Sequence, residues 1–204
     1  MSNPEAVMTL APVIPVLVIE DVSHAVPIAQ ALVAGGLPAL EVTLRTSCAL
    51  DVIRAMKQVP GAVVGAGTVL NPRDLDAALD AGAEFIVSPG LTADLGKEAI
   101  AAGVPFLPGT ANASDIMVGL DLGLTRFKFF PAEASGGIKA LSAIAAPFSM
   151  VKFCPTGGIT PETAPNWLAL DAVLCVGGSW MVPKGTPDVD KIEAAARYAA
   201  SLPG

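Results

Sequence analysis

Histidine is almost absent from this chain of 204 residues, and cysteine is scarce. The single histidine, His24, has no cluster of metal ligands near it, and Cys48, Cys154 and Cys175 show no CxxC spacing. A histidine-based metal site needs several such ligands, and a Ser-His-Asp triad needs a histidine beside its nucleophile. The sequence therefore predicts neither kind of site. Any chemistry must use lysine, carboxylate, hydroxyl and backbone groups.

Positive charge is also in short supply. The chain has 12 lysine and arginine residues against 19 aspartate and glutamate residues, for a formal net charge of −7. A nucleic-acid partner is not expected, because a phosphate backbone requires a basic protein face. Small anionic substrates can still bind, because a few local cations or backbone amides are enough to hold them.

Long apolar runs are missing too, although 52% of the residues are hydrophobic. No run reaches the ~18 residues that spanning a bilayer requires. Residues 1–5 lack the basic start of a signal peptide. We therefore expect a soluble, cytoplasmic protein with no membrane partner.

The chain instead repeats one unit, a short apolar run followed by a turn and an amphipathic helical segment. Runs typical of strands occupy residues 13–19, 39–45, 62–69, 85–89, 105–109, 126–131, 151–155 and 173–176. Helical segments between them include residues 23–34, 47–59, 72–81, 92–102 and 112–122. Asn71, Thr92 and Thr160 are expected to cap helices. Glycine is expected to end others, at Gly35-Gly36, Gly82, Gly103 and Gly123.

Eight such units without a linker favour a parallel α/β fold, and eight strands close a (β/α)₈ TIM barrel. We predict a compact barrel, with residues 1–204 forming a single domain. An open doubly wound sheet is the competing interpretation. Its dinucleotide fingerprint is not met, because Gly65-Ala66-Gly67 is followed by Leu70 where a third glycine belongs.

Lys128 stands in the middle of the apolar, aromatic run 126–131. An ammonium group in such a strand is costly to keep charged, because an apolar environment disfavours the ionised form. This lysine is either a structural cation paired with an acid or an amine nucleophile that forms a Schiff base with a carbonyl. Lys152 lies further from the end of its own run and is expected to be a structural cation.

Other polar residues gather where active-site groups of a barrel belong, at the carboxyl ends of the strands. Glu41, Thr43 and Arg45 share one face of the run 39–45, because successive side chains of a strand alternate. Glu41 and Arg45 could form a structural ion pair. Alternatively, with Lys128 across the barrel, Arg45 disfavours the ammonium form of the lysine and Glu41 moves protons.

Two neighbouring strand ends combine glycine with a hydroxyl residue. They are Thr156-Gly157-Gly158 and Gly177-Gly178-Ser179, after the seventh and eighth runs. Barrels often place a phosphate at this position, and glycines let backbone N–H groups converge on an anion. The sequence therefore favours a phosphate site over two ordinary turns.

Several motifs, in this order, resemble the bacterial 2-dehydro-3-deoxy-phosphogluconate (KDPG) aldolases, a family that includes 4-hydroxy-2-oxoglutarate (KHG) aldolases. They are Glu41-Val42-Thr43-Leu44-Arg45-Thr46, Gly65-Ala66-Gly67-Thr68-Val69, Ser88-Pro89-Gly90, Phe127-Lys128-Phe129-Phe130-Pro131-Ala132-Glu133 and Phe153-Cys154-Pro155-Thr156-Gly157-Gly158-Ile159. The resemblance extends over residues 12–183.

The resemblance implies a class I aldolase in which Lys128 forms the Schiff base and Glu41 is the general acid/base. It implies that Arg45 and Thr68 hold the carboxylate of the pyruvyl portion. The pocket lining would include Pro89 and Phe130, and the phosphate would be held by Thr156, Gly157, Gly158, Gly178 and Ser179. A homotrimer that needs no metal or other cofactor is also implied.

The implied reaction is cleavage of 2-dehydro-3-deoxy-6-phosphogluconate to pyruvate and glyceraldehyde 3-phosphate, a step of the Entner–Doudoroff pathway. Within the family, the alternatives are KHG or the galactonate-derived epimer as substrate. Outside it, the alternatives are a phosphate-binding barrel isomerase without a covalent intermediate and a non-catalytic assembly protein.

Overall fold

A computed structural model describes residues 3–203, in which short parallel strands alternate with helices. The strands are β1 (Val13–Leu17), β2 (Ala39–Thr43), β3 (Val63–Gly67), β4 (Ile86–Val87), β5 (Phe106–Leu107), β6 (Gly109–Thr110), β7 (Arg126–Phe129), β8 (Lys152–Pro155) and β9 (Val176–Gly178). The α-helices are α1 (Glu5–Met8), α2 (Ala25–Ala34), α3 (Ala49–Met56), α4 (Pro72–Asp80), α5 (Ala93–Ala101), α6 (Ala113–Asp121), α7 (Gly137–Ala145), α8 (Ala164–Leu168) and α9 (Val189–Ala200). Among the described residues, no helix is both long and apolar enough to cross a membrane.

The strands close into a ring, which confirms the predicted barrel. One sheet has the order β5-β4-β3-β2-β1-β9 and the other has the order β6-β7-β8, with parallel pairing throughout. The two sheets join at Pro108, which separates β5 from β6 within one predicted run, since proline cannot donate a ladder hydrogen bond. The other junction between the two sheets, where β8 meets β9, is closed by isolated bridges from Phe153 to Val173 and from Thr156 to Gly177.

The two faces of the ring have different partners. Outward side chains such as Leu40, Val42 and Val64 pack against the helices in the larger apolar cluster. Inward side chains such as Ala39 and Phe85 belong to a second, smaller cluster inside the ring. This alternation places residues of one strand in two environments, as the period-two pattern requires.

Helix α1 covers the amino-terminal end of the ring. Its buried residues Val7 and Met8 pack in the inner cluster with Ile14, which lies near the start of β1. The carboxylate of Glu5 accepts a hydrogen bond from Arg126, the first residue of β7, with Nη2 to Oε2 at 2.7 Å. The amino-terminal end is therefore closed by apolar packing.

Most of the predicted helix boundaries are confirmed. Asn71 and Thr92 cap α4 and α5 with their side-chain oxygens, as predicted, and Asn112, which begins a predicted helical segment, caps α6 in the same way. A left-handed backbone follows four helices, at Gly36, Gly82, Gly103 and Gly123, as expected for glycine C-caps.

Two predicted boundaries are wrong. Thr160 does not cap a helix, because α8 begins only at Ala164 and carries Pro165 in its first turn. A helix starting after Thr160 would place Pro165 in its interior, where it would remove a backbone hydrogen bond. The last strand is Val176–Gly178 rather than 173–176, since pairing with β1 begins at Val176 opposite Val13.

Replacing Met8 with alanine is expected to lower the free energy of unfolding by about 2–5 kcal/mol, because it leaves a cavity under the barrel. Met8 is 1% exposed. Met117→Ala on α6 is the matched control, since that methionine is 57% exposed. Urea unfolding of both variants checks this, and equal losses of stability would show that α1 does not seal the barrel.

Candidate active site

Lys128 and Glu41 meet inside the barrel. Lys128 lies on β7 and Glu41 on β2, and the lysine Nζ donates a hydrogen bond to the glutamate Oε1 at 3.1 Å. Lys128 is 5% exposed and Glu41 is 3% exposed. The Lys128 ammonium also lies 5.2 Å from the centre of the Phe130 ring. The sequence left open an ion pair between Glu41 and Arg45, but the buried partner of Glu41 is Lys128.

Gly67 makes room for the Glu41 side chain. The Glu41 carboxylate occupies the position where a Cβ on Gly67 would lie, so any larger residue there would displace it. Gly65, two residues earlier on the same inward face of β3, is covered in the same way by the Phe85 ring. The glycines of the Gly65-Ala66-Gly67 motif therefore make space inside the barrel.

Two thiols lie next to the lysine–glutamate pair. Cys154 is the register neighbour of Lys128 on β8, and Cys175 precedes β9; both are buried. A hydrogen bond with Cys154, burial, and electrostatic interactions with Cys154 and Glu41 raise the pKa of the Cys175 thiol well above its ordinary value. Because the nucleophilic form of cysteine is the thiolate, Cys175 is a poor nucleophile and Lys128 is the better candidate.

A cavity of about 490 Å³ lies at the carboxyl ends of the strands. Six residues predicted from the sequence to belong to the site line this cavity: Arg45, Phe130, Thr156, Gly157, Gly158 and Ser179. Since Phe130 also contacts the Lys128 ammonium, the buried pair lies beside the cavity. Within residues 3–203 Arg45 makes no ion pair, so its guanidinium is available to an anion.

The glycines after β8 give this cavity a wall of backbone. Gly157 and Gly158 have φ angles of 106° and 80°, which side-chain-bearing residues rarely adopt. The Thr156 hydroxyl lies where a Cβ on Gly177 would be, so β8 and β9 approach closely here. An open backbone with neighbouring hydroxyls suits an anion such as phosphate.

Comparison with known proteins decides the family. Residues 5–195 match the family model described as KDPG and KHG aldolase. The chain belongs to this aldolase family.

Individual relatives agree with the family model over nearly the whole chain. A 2-dehydro-3-deoxy-phosphogluconate aldolase of Zymomonas mobilis is 65% identical over 202 residues, covering 99% of this chain and 97% of the relative. The crystal structure of a Zymomonas mobilis KDPG aldolase with 3-phosphoglycerate has a TM-score of 0.98 at 64% identity, covering 100% and 97% of the two chains. A Legionella pneumophila KDPG aldolase, with pyruvate captured as a covalent carbinolamine, has a TM-score of 0.95 at 43% identity, covering 98% of each chain.

Lys128 and Glu41 lie beside the cavity without lining it, and three more predicted site residues of this aldolase-family chain also do not line it. Thr68 follows β3, Pro89 follows β4, and neither lines the cavity. Gly178 lies beneath the Trp180 ring, while its neighbour Gly177 lines the cavity. Strand alternation explains why Gly177 rather than Gly178 lines the cavity, because the two residues face opposite sides of β9. A phosphate role for Gly178 stays a prediction that depends on its backbone amide.

Lys152 and Lys184 differ in their surroundings from Lys128, the candidate nucleophile. The Lys152 ammonium donates to the backbone carbonyl of Asp171, in agreement with a structural cation. Lys184 lines the same cavity as Arg45 but was not singled out from the sequence. An exposed lysine in the Pro183-Lys184-Gly185 loop has no pattern that distinguishes it from a solvated surface residue.

Thr68 has a strained backbone. Its φ of 60° is the one positive φ of a non-glycine residue among the described residues, and threonine is β-branched. Such a conformation costs about 1–3 kcal/mol and tends to occur at functional sites. The strain supports a functional role for the Gly67-Thr68 end of β3.

Replacing Thr68 with glycine is expected to change the free energy of unfolding by less than about 1 kcal/mol, because relief of strain offsets the entropy of glycine. Since the family resemblance implies that Thr68 holds a carboxylate, we expect this variant to bind pyruvate about tenfold more weakly, as for loss of one hydrogen bond to a charged group. Urea unfolding and pyruvate titration measure both effects. Thr68→Ser keeps the hydroxyl, so wild-type affinity in the glycine variant, or a weak serine variant, would contradict the assignment.

Proposed function

We propose that this protein is a class I aldolase that cleaves 2-dehydro-3-deoxy-6-phosphogluconate to pyruvate and glyceraldehyde 3-phosphate. The observation that carries the proposal is the buried pair of Lys128 and Glu41 beside the cavity. A lysine and a general acid/base in contact are the two groups that Schiff-base aldol cleavage requires. The 65% identical relative that bears this enzyme name supports the choice of substrate.

Proton transfer within the pair begins the reaction. Transfer of one proton from the Lys128 ammonium to Glu41 leaves a neutral amine and a neutral acid. The amine attacks the C2 ketone of the substrate to form a carbinolamine. Glu41 then returns the proton to the C2 hydroxyl, which leaves as water, and a protonated imine forms. The capture of pyruvate as a carbinolamine in the Legionella pneumophila relative supports this sequence.

The protonated imine then accepts electrons from the bond that breaks. Glu41, again a carboxylate, removes the proton of the C4 hydroxyl, the C3–C4 bond breaks, and glyceraldehyde 3-phosphate leaves. Pyruvate remains bound as an enamine. Glu41 protonates C3, and hydrolysis releases pyruvate and Lys128. One carboxylate thus serves as base and acid in turn, and every proton that it takes up is returned.

The two anionic ends of the substrate have different candidate partners. Arg45 suits the carboxylate, because a guanidinium binds a planar carboxylate through two parallel hydrogen bonds and keeps its charge. Thr68 is the proposed second partner of this carboxylate. Thr156, Ser179 and the glycine backbone around them form the proposed phosphate site. Binding of 3-phosphoglycerate by the Zymomonas mobilis relative is consistent with a phosphate-binding barrel.

KHG is the second candidate substrate. The family description names KDPG and KHG aldolases together. Both compounds are 2-oxo acids that carry a hydroxyl at C4, so the Lys128 and Glu41 steps serve either one. Phosphate contacts would favour KDPG, and comparison of the kcat/KM values for the two substrates decides the preference.

The remaining parts of the proposal depend on the family resemblance. They are a single aldolase domain over residues 1–204, assembly as a homotrimer, a cytoplasmic location and a role in the Entner–Doudoroff pathway. Sedimentation of the purified protein tests the trimer.

Lys128→Met is expected to fold and to lose cleavage by several orders of magnitude, because methionine fills similar space without an amine. Incubation with pyruvate and borohydride, followed by intact mass and peptide mapping, checks this. The wild-type protein is expected to gain one reduced pyruvyl group on Lys128, and the variant none. Lys152→Met, which removes the other strand lysine, is the control and is expected to be labelled as the wild type is.

An adduct on Lys152 would move the nucleophile to that residue. A folded wild-type protein that gives no adduct would exclude the Schiff base. The remaining interpretation would then be a barrel that binds phosphate and acts without a covalent intermediate.

Glu41→Gln is expected to trap pyruvate on prolonged incubation but to turn over ~10²–10⁴-fold more slowly, because an amide cannot transfer the C4 proton. Steady-state cleavage and borohydride trapping measure the two steps separately. Glu98→Gln, an exposed residue on α5, controls for the loss of charge. If the Glu41 variant traps no pyruvate at all, imine formation or folding depends entirely on Glu41, and its separate role at the C4 hydroxyl loses its support.

A further inference from the structure

Glu133 links the strand of the candidate nucleophile to the glycine wall of the cavity. It follows β7 by four residues, and its backbone N–H donates to the Gly157 carbonyl at 3.1 Å. The N–H of Ala132 donates to the Thr156 carbonyl at 2.8 Å. The segment after Lys128 and the segment 156–158 are therefore paired beyond the ends of their strands.

The side chain of Glu133 supports Gly158 directly. A Cβ on Gly158 would lie 2.8 Å from both Cβ and Cγ of Glu133, a distance that real Cβ atoms do not adopt. Gly158 therefore rests on the Glu133 stem with no space between them. The φ of 80° and this close contact both favour glycine at position 158.

The carboxylate of Glu133 is fixed at its far end. Its Oε1 accepts a hydrogen bond from the Trp167 Nε1 at 3.0 Å, and Trp167 on α8 is fully buried. The Trp167 ring lies 6.4 Å from the ring of Phe129, the residue after Lys128. The other oxygen, Oε2, approaches Gly137 at the start of α7, where a negative charge is favourable.

We propose that Glu133 and Trp167 are positioning residues that fix the backbone of residues 156–158 for the phosphate of the substrate. This inference rests on the proposed aldolase function and deepens it. Glu133 acts through the loop that it supports and does not touch the reacting atoms. Glu133 and Trp167 therefore control how strongly a phosphorylated substrate binds. The reaction steps at Lys128 do not require them.

Glu133→Ala is expected to raise KM for 2-dehydro-3-deoxy-6-phosphogluconate about tenfold and to leave kcat within about twofold, a loss of about 1.4 kcal/mol in binding. For the same sugar acid without phosphate, kcat/KM is expected to stay within about twofold of the wild-type value. Steady-state kinetics with both substrates measures this split. Equal losses for the two substrates, or unchanged KM values, would overturn the proposal.

Glu133→Gln and Trp167→Phe separate positioning from a loss of folding. The glutamine keeps an oxygen for the Trp167 N–H and keeps the stem under Gly158, so near wild-type KM is expected. Trp167→Phe keeps an apolar ring and removes only the N–H, so it is expected to reproduce part of the KM rise. If Glu133→Ala does not fold, Trp167→Phe alone decides: an unchanged KM overturns the proposal.

Glu98→Ala is the matched control, because it removes an exposed glutamate that has no side-chain hydrogen bond within residues 3–203. It is expected to leave both substrates unaffected. Pyruvate trapping on the wild-type protein tests the aldolase function separately. Should the wild-type protein fail to trap pyruvate, titration with 3-phosphoglycerate still decides the positioning role: weaker binding by Glu133→Ala than by Glu98→Ala supports it, and equal binding overturns it.

Discussion

The buried contact between Lys128 and Glu41 constrains the rest of the barrel. Two opposite charges can stay in this apolar interior because each neutralises the other at 3.1 Å. Removal of one partner from such a pair typically costs 3–5 kcal/mol, because the remaining charge is buried alone. The two residues lie on β7 and β2, which are far apart in sequence, so the closed ring is what brings them together. The closed ring therefore creates the contact on which the proposed aldol cleavage depends.

Three glycines on the inward face of the strands make space inside the ring. Gly65, Gly67 and Gly177 leave the positions that the side chains of Phe85, Glu41 and Thr156 occupy. Each of these three side chains is thus matched by a glycine on a neighbouring strand. Packing α1 beneath the ring closes the amino-terminal end with apolar residues. Only the carboxyl end remains for an anionic ligand, where Arg45 and the open backbone lie.

Local sequence patterns were sufficient to predict the barrel and most of the candidate site residues. The features that they did not predict depend on contacts between residues far apart in the chain. Alternating apolar runs and caps predicted the barrel, because strand and helix periods are properties of neighbouring residues. Lys128 and Glu41 were found in the same way, as charges in apolar runs. Their proximity was one of two interpretations, because Arg45 stood nearer to Glu41 in sequence and was the competing partner. Two boundaries depend on backbone hydrogen bonds, which the hydrophobic pattern does not show. They are the break between β5 and β6 at Pro108 and the start of α8 near Pro165. The Trp167–Glu133 contact joins residues 34 apart and left no local signal.

Pairing and catalysis, which the sequence presented as alternatives for Lys128, are compatible in this geometry. A strand lysine with a distant acid would have to lose its proton to solvent before it could attack a carbonyl. Here the proton acceptor is already in hydrogen-bond contact, and it is the same carboxylate that the later steps need. The raised pKa of Cys175 keeps its thiol protonated, so this residue adds no negative charge beside the glutamate. A structural ion pair and the proposed proton-transfer pair are therefore the same arrangement, and the cavity beside Phe130 supports the proposed chemical role.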